Sequence, residues 1–188
     1  MSSAFIQTFT QNVPYHSDPT AIFATSCENK PNTLLLESAE ISSKNSLKSL
    51  LLVNAAMKIS CLGQTVTFHA LSDNGAAVLP LIAQKLSAQV NVTSQTSTEL
   101  QVAFKPTDNN ADEDSKLLAH GIFDGLRCFT DLYQASPLPV FLGGLFAYDL
   151  VANFIPMVNI TFQDDVITCP DYCFYLAEQL LVIDHQLQ

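Results

Sequence analysis

The sequence predicts an α+β fold: a largely antiparallel sheet, or sheets, with helices packed on it. Two observations carry that prediction. Leu51, Val53, Ala55, Met57, Ile59 and Cys61 alternate with a face carrying Asn54, Lys58 and Ser60, a period of two sustained over a dozen residues, which is the signature of a strand. Leu62-Gly63-Gln64-Thr65 then turns the chain back. In the next stretch Val66, Phe68 and Ala70 alternate with Thr65, Thr67 and His69, so the pair reads as a β-hairpin. The order of the remaining elements is mixed, with antiparallel signals dominating.

Before the hairpin, Leu34-Leu35-Leu36 follows Pro31-Asn32 and is closed by Glu37-Ser38, which reads as a short buried strand ending on something polar. After it, Ser72-Asp73-Asn74-Gly75 caps a helix running to about Leu86, with Val78, Leu81, Ile82 and Leu86 on one face. Pro80 should kink that helix or move its start later. Leu100, Val102 and Phe104 form another alternating strand. An acidic loop, Pro106 to Asp114, leads into a helix expected over Ser115 to Gln134. There Leu118, Ile122, Leu126, Phe129 and Tyr133 make one apolar stripe, and the preceding acids favour its positive end. Phe141 to Val151 is punctuated by glycine and then turns helical. The last apolar run, Tyr172 to Ile183, places Phe174, Leu176, Leu180 and Val182 on a shared face. A buried strand there needs neighbours on both sides, and the expectation is that chain beyond Gln188 supplies one.

Composition narrows the functional classes. With 188 residues the chain is long enough for one domain or a large piece of one. Only 14% of residues are charged, against about a quarter in typical domains. Either part of the surface is covered by more chain or a subunit, or the surface is simply rich in Ser, Thr, Asn and Gln. The net charge of −10 argues against nucleic acid as a partner. No apolar run reaches the roughly 18–20 residues of a membrane helix. Met1 to Pro14 has neither the positive nor the apolar region of a secretion signal. Cys27, Cys61, Cys128, Cys169 and Cys173 are odd in number and show no framework, so reduced thiols and a cytoplasmic location are expected.

No catalytic set emerges. His16, His69, His120 and His185 are not at metal-ligand spacing, and phosphate-loop, dinucleotide and nucleophile-elbow motifs are missing. Asp112-Glu113-Asp114 and Asp164-Asp165 read best as solvated acidic loops. Glu37-Ser38 stands out: a carboxylate and a hydroxyl directly after three leucines can hold the polar end of an α-amino acid beside an apolar surface. Lys48, opening the next strand, is a natural cation for such a site. A loop with a solvated glutamate remains the alternative. Arg127, between Asp124 and Asp131 on the expected helix, makes a surface charge ladder worth tenths of a kcal/mol per pair.

Three segments carry a family resemblance. They are Thr33-Leu34-Leu35-Leu36-Glu37-Ser38-Ala39 with Leu47-Lys48-Ser49-Leu50-Leu51-Leu52-Val53; Gly143-Gly144-Leu145-Phe146-Ala147-Tyr148-Asp149-Leu150-Val151; and Cys169-Pro170-Asp171-Tyr172-Cys173-Phe174-Tyr175-Leu176-Ala177-Glu178 with Val182-Ile183-Asp184-His185. In this order they resemble the N-terminal part of the large, chorismate-using subunit of anthranilate synthase, nearest its enterobacterial type. Ser2–Pro14 and Val90–Thr98 match least and are expected to be loops.

The resemblance implies that residues 1–188 form a tryptophan-regulatory region, with the chorismate-binding half beyond them. It implies an enzyme that converts chorismate and ammonia to anthranilate and pyruvate. A glutamine amidotransferase subunit is the implied partner, L-tryptophan the inhibitor and Mg2+ the cofactor. The implied catalytic groups and metal ligands lie in the other half, so none is expected here. For the inhibitor it points to Leu36, Glu37, Ser38 and Lys48, and for feedback control also to Arg127 and Cys173. Two alternatives stay open: the large subunit of aminodeoxychorismate synthase, and a stand-alone amino-acid-binding regulatory module.

Overall fold

The computed structural model describes residues 6–37, 47–106, 112, 114, 119–132, 139–154 and 169–187. One long strand, β2 (Lys48–Leu62), organises them. Along one edge it pairs with β1 (Leu34–Glu37) near its start and with β3 (Thr65–Ala70) near its end; along the other it pairs with β7 (Tyr172–Asp184). The sheet runs β4 (Val90–Gln95), β5 (Glu99–Phe104), β3, β2, β7, β6 (Leu142–Phe146), with β1 off this path, and every pairing is antiparallel. The α+β prediction and the hairpin are both seen. Gly63, with φ +57°, takes the left-handed conformation in the hairpin turn that a side chain would disfavour.

The core lies between the sheet and helix α2 (Asp73–Leu86). Met57, Ile59, Cys61, Val66, Phe68, Leu100, Val102 and Phe104 project from the strands onto Val78, Leu79, Ile82 and Leu86. The cap is as expected: Ser72 Oγ accepts from the Gly75 N–H at 3.3 Å. The buried stripe begins at Gly75, where a Cβ would overlap the Ala56 carbonyl oxygen, so Leu79 is buried and Leu81 only half-buried. Pro80 neither delays the helix nor ends it; it sits inside, exposed. Its missing N–H withholds one helical hydrogen bond from Ala76. Pro80→Ala should therefore raise unfolding free energy by about 2 kcal/mol, read as a higher urea midpoint at unchanged slope.

Several expectations need correction. β1 is not buried: it has a neighbour on one side, and Leu36 and Glu37 are exposed. In β2, Val53 and Ala55 are half-buried while Leu52 and Ala56 are buried, because register irregularities against β7 between Leu52 and Met57 break the alternation. The same irregularity changes the buried parity in β7, where Leu176 and Ile183 are buried but Val182 is 45% exposed. Over Tyr172–Leu176 β7 gains its second neighbour from β6, while its remainder has only β2 beside it among the described residues. Val90–Gln95 is strand, not loop; its side chains are mostly polar and exposed, so no hydrophobic pattern announced it.

The expected 115–134 helix is also broken. Among the described residues it contains helix α3 (Asp124–Arg127) and a 3-10 turn (Cys128–Asp131), while 119–121 are not helical. The Asp124 carboxylate accepts from the Gly121 N–H at 2.9 Å and restarts the helical turns there. Leu118 and Tyr133 lie outside the described residues; Ile122 and Phe129 are buried as the stripe required. The segment after β6 is a 3-10 helix, Tyr148–Asn153.

Candidate functional site

The site predicted around Glu37 lies where β1, β2 and β7 come together at one end of the sheet. Leu36, Leu50 and Val182 are cross-strand neighbours in one row; Glu37, Ser49 and Ile183 form the next, and Lys48 faces Asp184. Because side chains alternate along a strand, successive rows face opposite sides. Leu36, Leu50, Val182, Lys48 and Asp184 therefore share one face. Glu37 and Ser49 share the other. Leu36 and Lys48, both expected at the site, are brought together; Glu37 is turned away from them. Ser38 lies outside the described residues.

On the first face, the Lys48 ammonium stands 3.5 Å from the Asp184 carboxylate. Backbone N–H groups of Leu187 and Gln186, with Lys48 beside it, hold that carboxyl below its ordinary range. Asp184 accepts from both N–H groups, at 3.1 and 3.0 Å, and so shapes the turn that ends β7. Next to this ion pair runs a half-exposed apolar strip, with Leu36 39% and Val182 45% exposed. A cation, an anion and an apolar strip side by side match an α-amino acid with an apolar side chain: opposite charges meet its carboxylate and ammonium, and the strip receives the rest. Sequence reasoning missed Asp184, since nothing local ties it to Lys48, 136 positions earlier by count; the antiparallel register alone places them opposite.

On the second face, Ser49 is the one buried polar side chain among the described residues, 2% exposed. Its Oγ lies 2.9 Å from His185 Nε2 and 3.4 Å from Glu37 Oε1. His185 Nδ1 in turn lies 3.2 Å from the Tyr15 hydroxyl.

Arg127 and Cys173 are not part of this cluster. Cys173 stands at the other end of β7, nine residues from Val182 and so roughly 30 Å along the strand at about 3.3 Å per residue. Arg127 pairs with Asp124 at 3.2 Å, one arm of the expected ladder, and its guanidinium lies 6.0 Å from the Phe123 ring. Phe123 stacks on Phe154 at 5.4 Å and meets Phe146 edge-on, in an aromatic group that includes Tyr172 and Phe174. The Cys61 and Cys128 thiols are poor nucleophiles. Burial, with Asp171 near Cys61 and Asp124 near Cys128, pushes both up to about 12.

Over this geometry the comparisons with known proteins can be placed. No family model matches the chain. Anthranilate synthase component 1 of Haemophilus influenzae is 59% identical over 188 residues, all of this chain and 36% of that protein. The proteins of the same name from Vibrio cholerae and Escherichia coli are each 46% identical, over 98% and 92% of this chain and 35% and 33% of their own lengths. The chain is a relative of anthranilate synthase component 1 along its whole length. It spans about a third of the length of the curated relatives it matches. The similarity first drawn from three sequence segments thus extends over the whole chain.

Proposed function

We propose that this chain is the tryptophan-regulated portion of an anthranilate synthase large subunit, an enzyme of tryptophan biosynthesis acting in the cytoplasm. The whole enzyme converts chorismate and ammonia to anthranilate and pyruvate, with the ammonia supplied from glutamine by an amidotransferase subunit. The observation that carries this reading is the 59% identity to a component 1 protein across all 188 residues. The exposed Leu36–Leu50–Val182 strip beside the Lys48–Asp184 pair supports the inhibitor assignment. Among the described residues no helix is long and apolar enough to cross a membrane.

In this reading L-tryptophan lies against Leu36, Glu37, Ser38 and Lys48. Its indole covers the apolar strip, its carboxylate meets Lys48, and its ammonium meets the Asp184 carboxylate on the same face. Arg127 and Cys173, remote from that contact, act on feedback through the sheet and its helices. Occupancy favours a conformation less competent toward chorismate, a coupling of about 1–3 kcal/mol. Mg2+ belongs to the chorismate chemistry. Among the described residues no three His, Cys, Asp or Glu side chains converge, so these residues offer it no donor set.

The test is a chimera in which these 188 residues replace the matching third of the Haemophilus influenzae protein. With ammonia it should form anthranilate from chorismate, and L-tryptophan should inhibit it. Ser38→Phe should keep substantial turnover and lose inhibition. Unchanged inhibition in Ser38→Phe contradicts the assignment.

A further inference from the structure

The face of the sheet opposite the Leu36–Lys48 strip carries a hydrogen-bonded chain that the proposed function leaves unused. It runs Tyr15–His185–Ser49–Glu37, through contacts of 3.2, 2.9 and 3.4 Å. These four residues come from four places: the segment before α1 (Pro19–Cys27), the turn after β7, the start of β2 and the end of β1. Up to 170 positions in sequence separate the bonded partners.

The far end of the chain sets its direction. An ionised carboxylate only accepts, so the Ser49 hydroxyl donates its single proton to Glu37. Ser49 Oγ must then accept from His185, which requires the proton on Nε2. Nδ1 is left with a lone pair, and the Tyr15 hydroxyl donates to it. Each of the three contacts then carries one proton. The opposite tautomer would have Ser49 donate to His185 and leave its oxygen facing the Glu37 carboxylate without a proton between them.

The mechanical setting matters as much. β1 has four residues and one neighbour, so four residues of ladder against β2 hold it. His185 is fixed from both sides: its backbone N–H donates to the Leu47 carbonyl at 3.0 Å, and its ring meets Tyr15 edge-on with centroids 6.1 Å apart. Ser49 is anchored inside the sheet. The Glu37 carboxylate, at the last residue of β1, is therefore tied to Ser49, which His185 holds in turn.

We propose that Tyr15, His185 and Ser49 are a clasp: positioning residues that hold the end of β1 through Glu37 and so set the geometry of the amino-acid site on the other face. The clasp touches no ligand. It keeps Leu36 in its row and keeps the Glu37 side chain turned away from Lys48, leaving the front face open. Its role at the site rests on the proposed function; its effect on β1 does not, and the two are measured separately.

Hydrogen exchange of the β1 amides that bond to β2 in the 188-residue chain reads the clasp without any ligand. Ser49→Ala and His185→Leu should speed it about tenfold or more. Tyr15→Phe, a milder and exposed change, should speed it about threefold. His185→Gln, which keeps an N–H for Ser49, should stay close to the parent. Equal exchange in all four variants, or loss of protection throughout β2 as well, overturns the clasp. In the chimera, Ser49→Ala should shift half-inhibition to about fivefold higher L-tryptophan or more, and His185→Gln should not. An unshifted curve removes the clasp from the site's control. If the parent chimera ignores tryptophan, the proposed function and the clasp's role at the site fall together, while the exchange result still stands or falls by itself.

Discussion

Gly144→Ala should lower the stability of this chain by about 3 kcal/mol, at the upper end of what overpacking costs. Gly144 pairs with Phe174 across β6 and β7, and a methyl group there would overlap the Cys173 carbonyl oxygen and lie 2.6 Å from the Phe174 Cα. Both are backbone atoms of the neighbouring strand, so no rotamer change relieves the contact; the two strands must separate or slide. Phe174 and Phe146 would move with them, and these rings lie 4.8 Å apart in the aromatic group behind Arg127. Gly121→Ala is the control. A Cβ at Gly121 meets nothing within 4 Å, so that substitution should change stability by no more than about 0.5 kcal/mol. Urea unfolding of the two variants should differ by most of the Gly144 effect. Equal midpoints would mean that β6 does not lie against β7 in this register.

Tyr172→Ala should cost about 3–5 kcal/mol, the usual range for removing a buried aromatic side chain. Tyr172 is fully buried, and its hydroxyl donates to the Ile122 carbonyl at 2.7 Å. Burial, reinforced by Cys61, pushes the phenol far above its ordinary range, so it stays protonated and remains a donor at any pH where the chain folds. The hydroxyl's own share is read from Tyr172→Phe. That variant keeps the ring against Phe123, Phe146 and Phe174 and removes one of two bonds to the Ile122 carbonyl, which still accepts from the Gly125 N–H at 3.2 Å, for about 1 kcal/mol. Comparable losses in the two variants would show that the ring is poorly packed and that the hydroxyl alone fixes the 122–132 segment.

The parts of the fold legible in the sequence were those where one face of an element is buried along its whole length. The β2–β3 hairpin, β5 and the Ser72 cap have this property, and each lies where periodicity and turn chemistry placed it. Legibility ended where long-range pairing overrides local pattern. β4 sets only Val90 against the core, too little for a pattern, and pairs along the backbone edge of β5. The irregular register between β2 and β7 changes which residues are buried at Val53, Ala55 and Val182. A five-residue apolar stripe argued for one long helix, but the Asp124 carboxylate at Gly121 divides it.

The site was half legible. Leu36 and Lys48 stood out as an apolar residue and a cation, and the pairing of β1 with β2 brings them to one face. That Glu37 points the other way follows from alternation once the register is known, and the register is not local information. Asp184, Ser49 and His185 were invisible for the same reason: each is an ordinary residue until β7 is laid antiparallel to β2.

Tryptophan bound to this chain should lie on the face of Leu36 and Lys48, and a crystal structure of the chimera soaked with L-tryptophan would show it. The indole is expected against Leu36, Leu50 and Val182, with the tryptophan carboxylate within hydrogen-bonding distance of Lys48. Tryptophan bound with no atom in contact with β1 or Lys48 would contradict that placement.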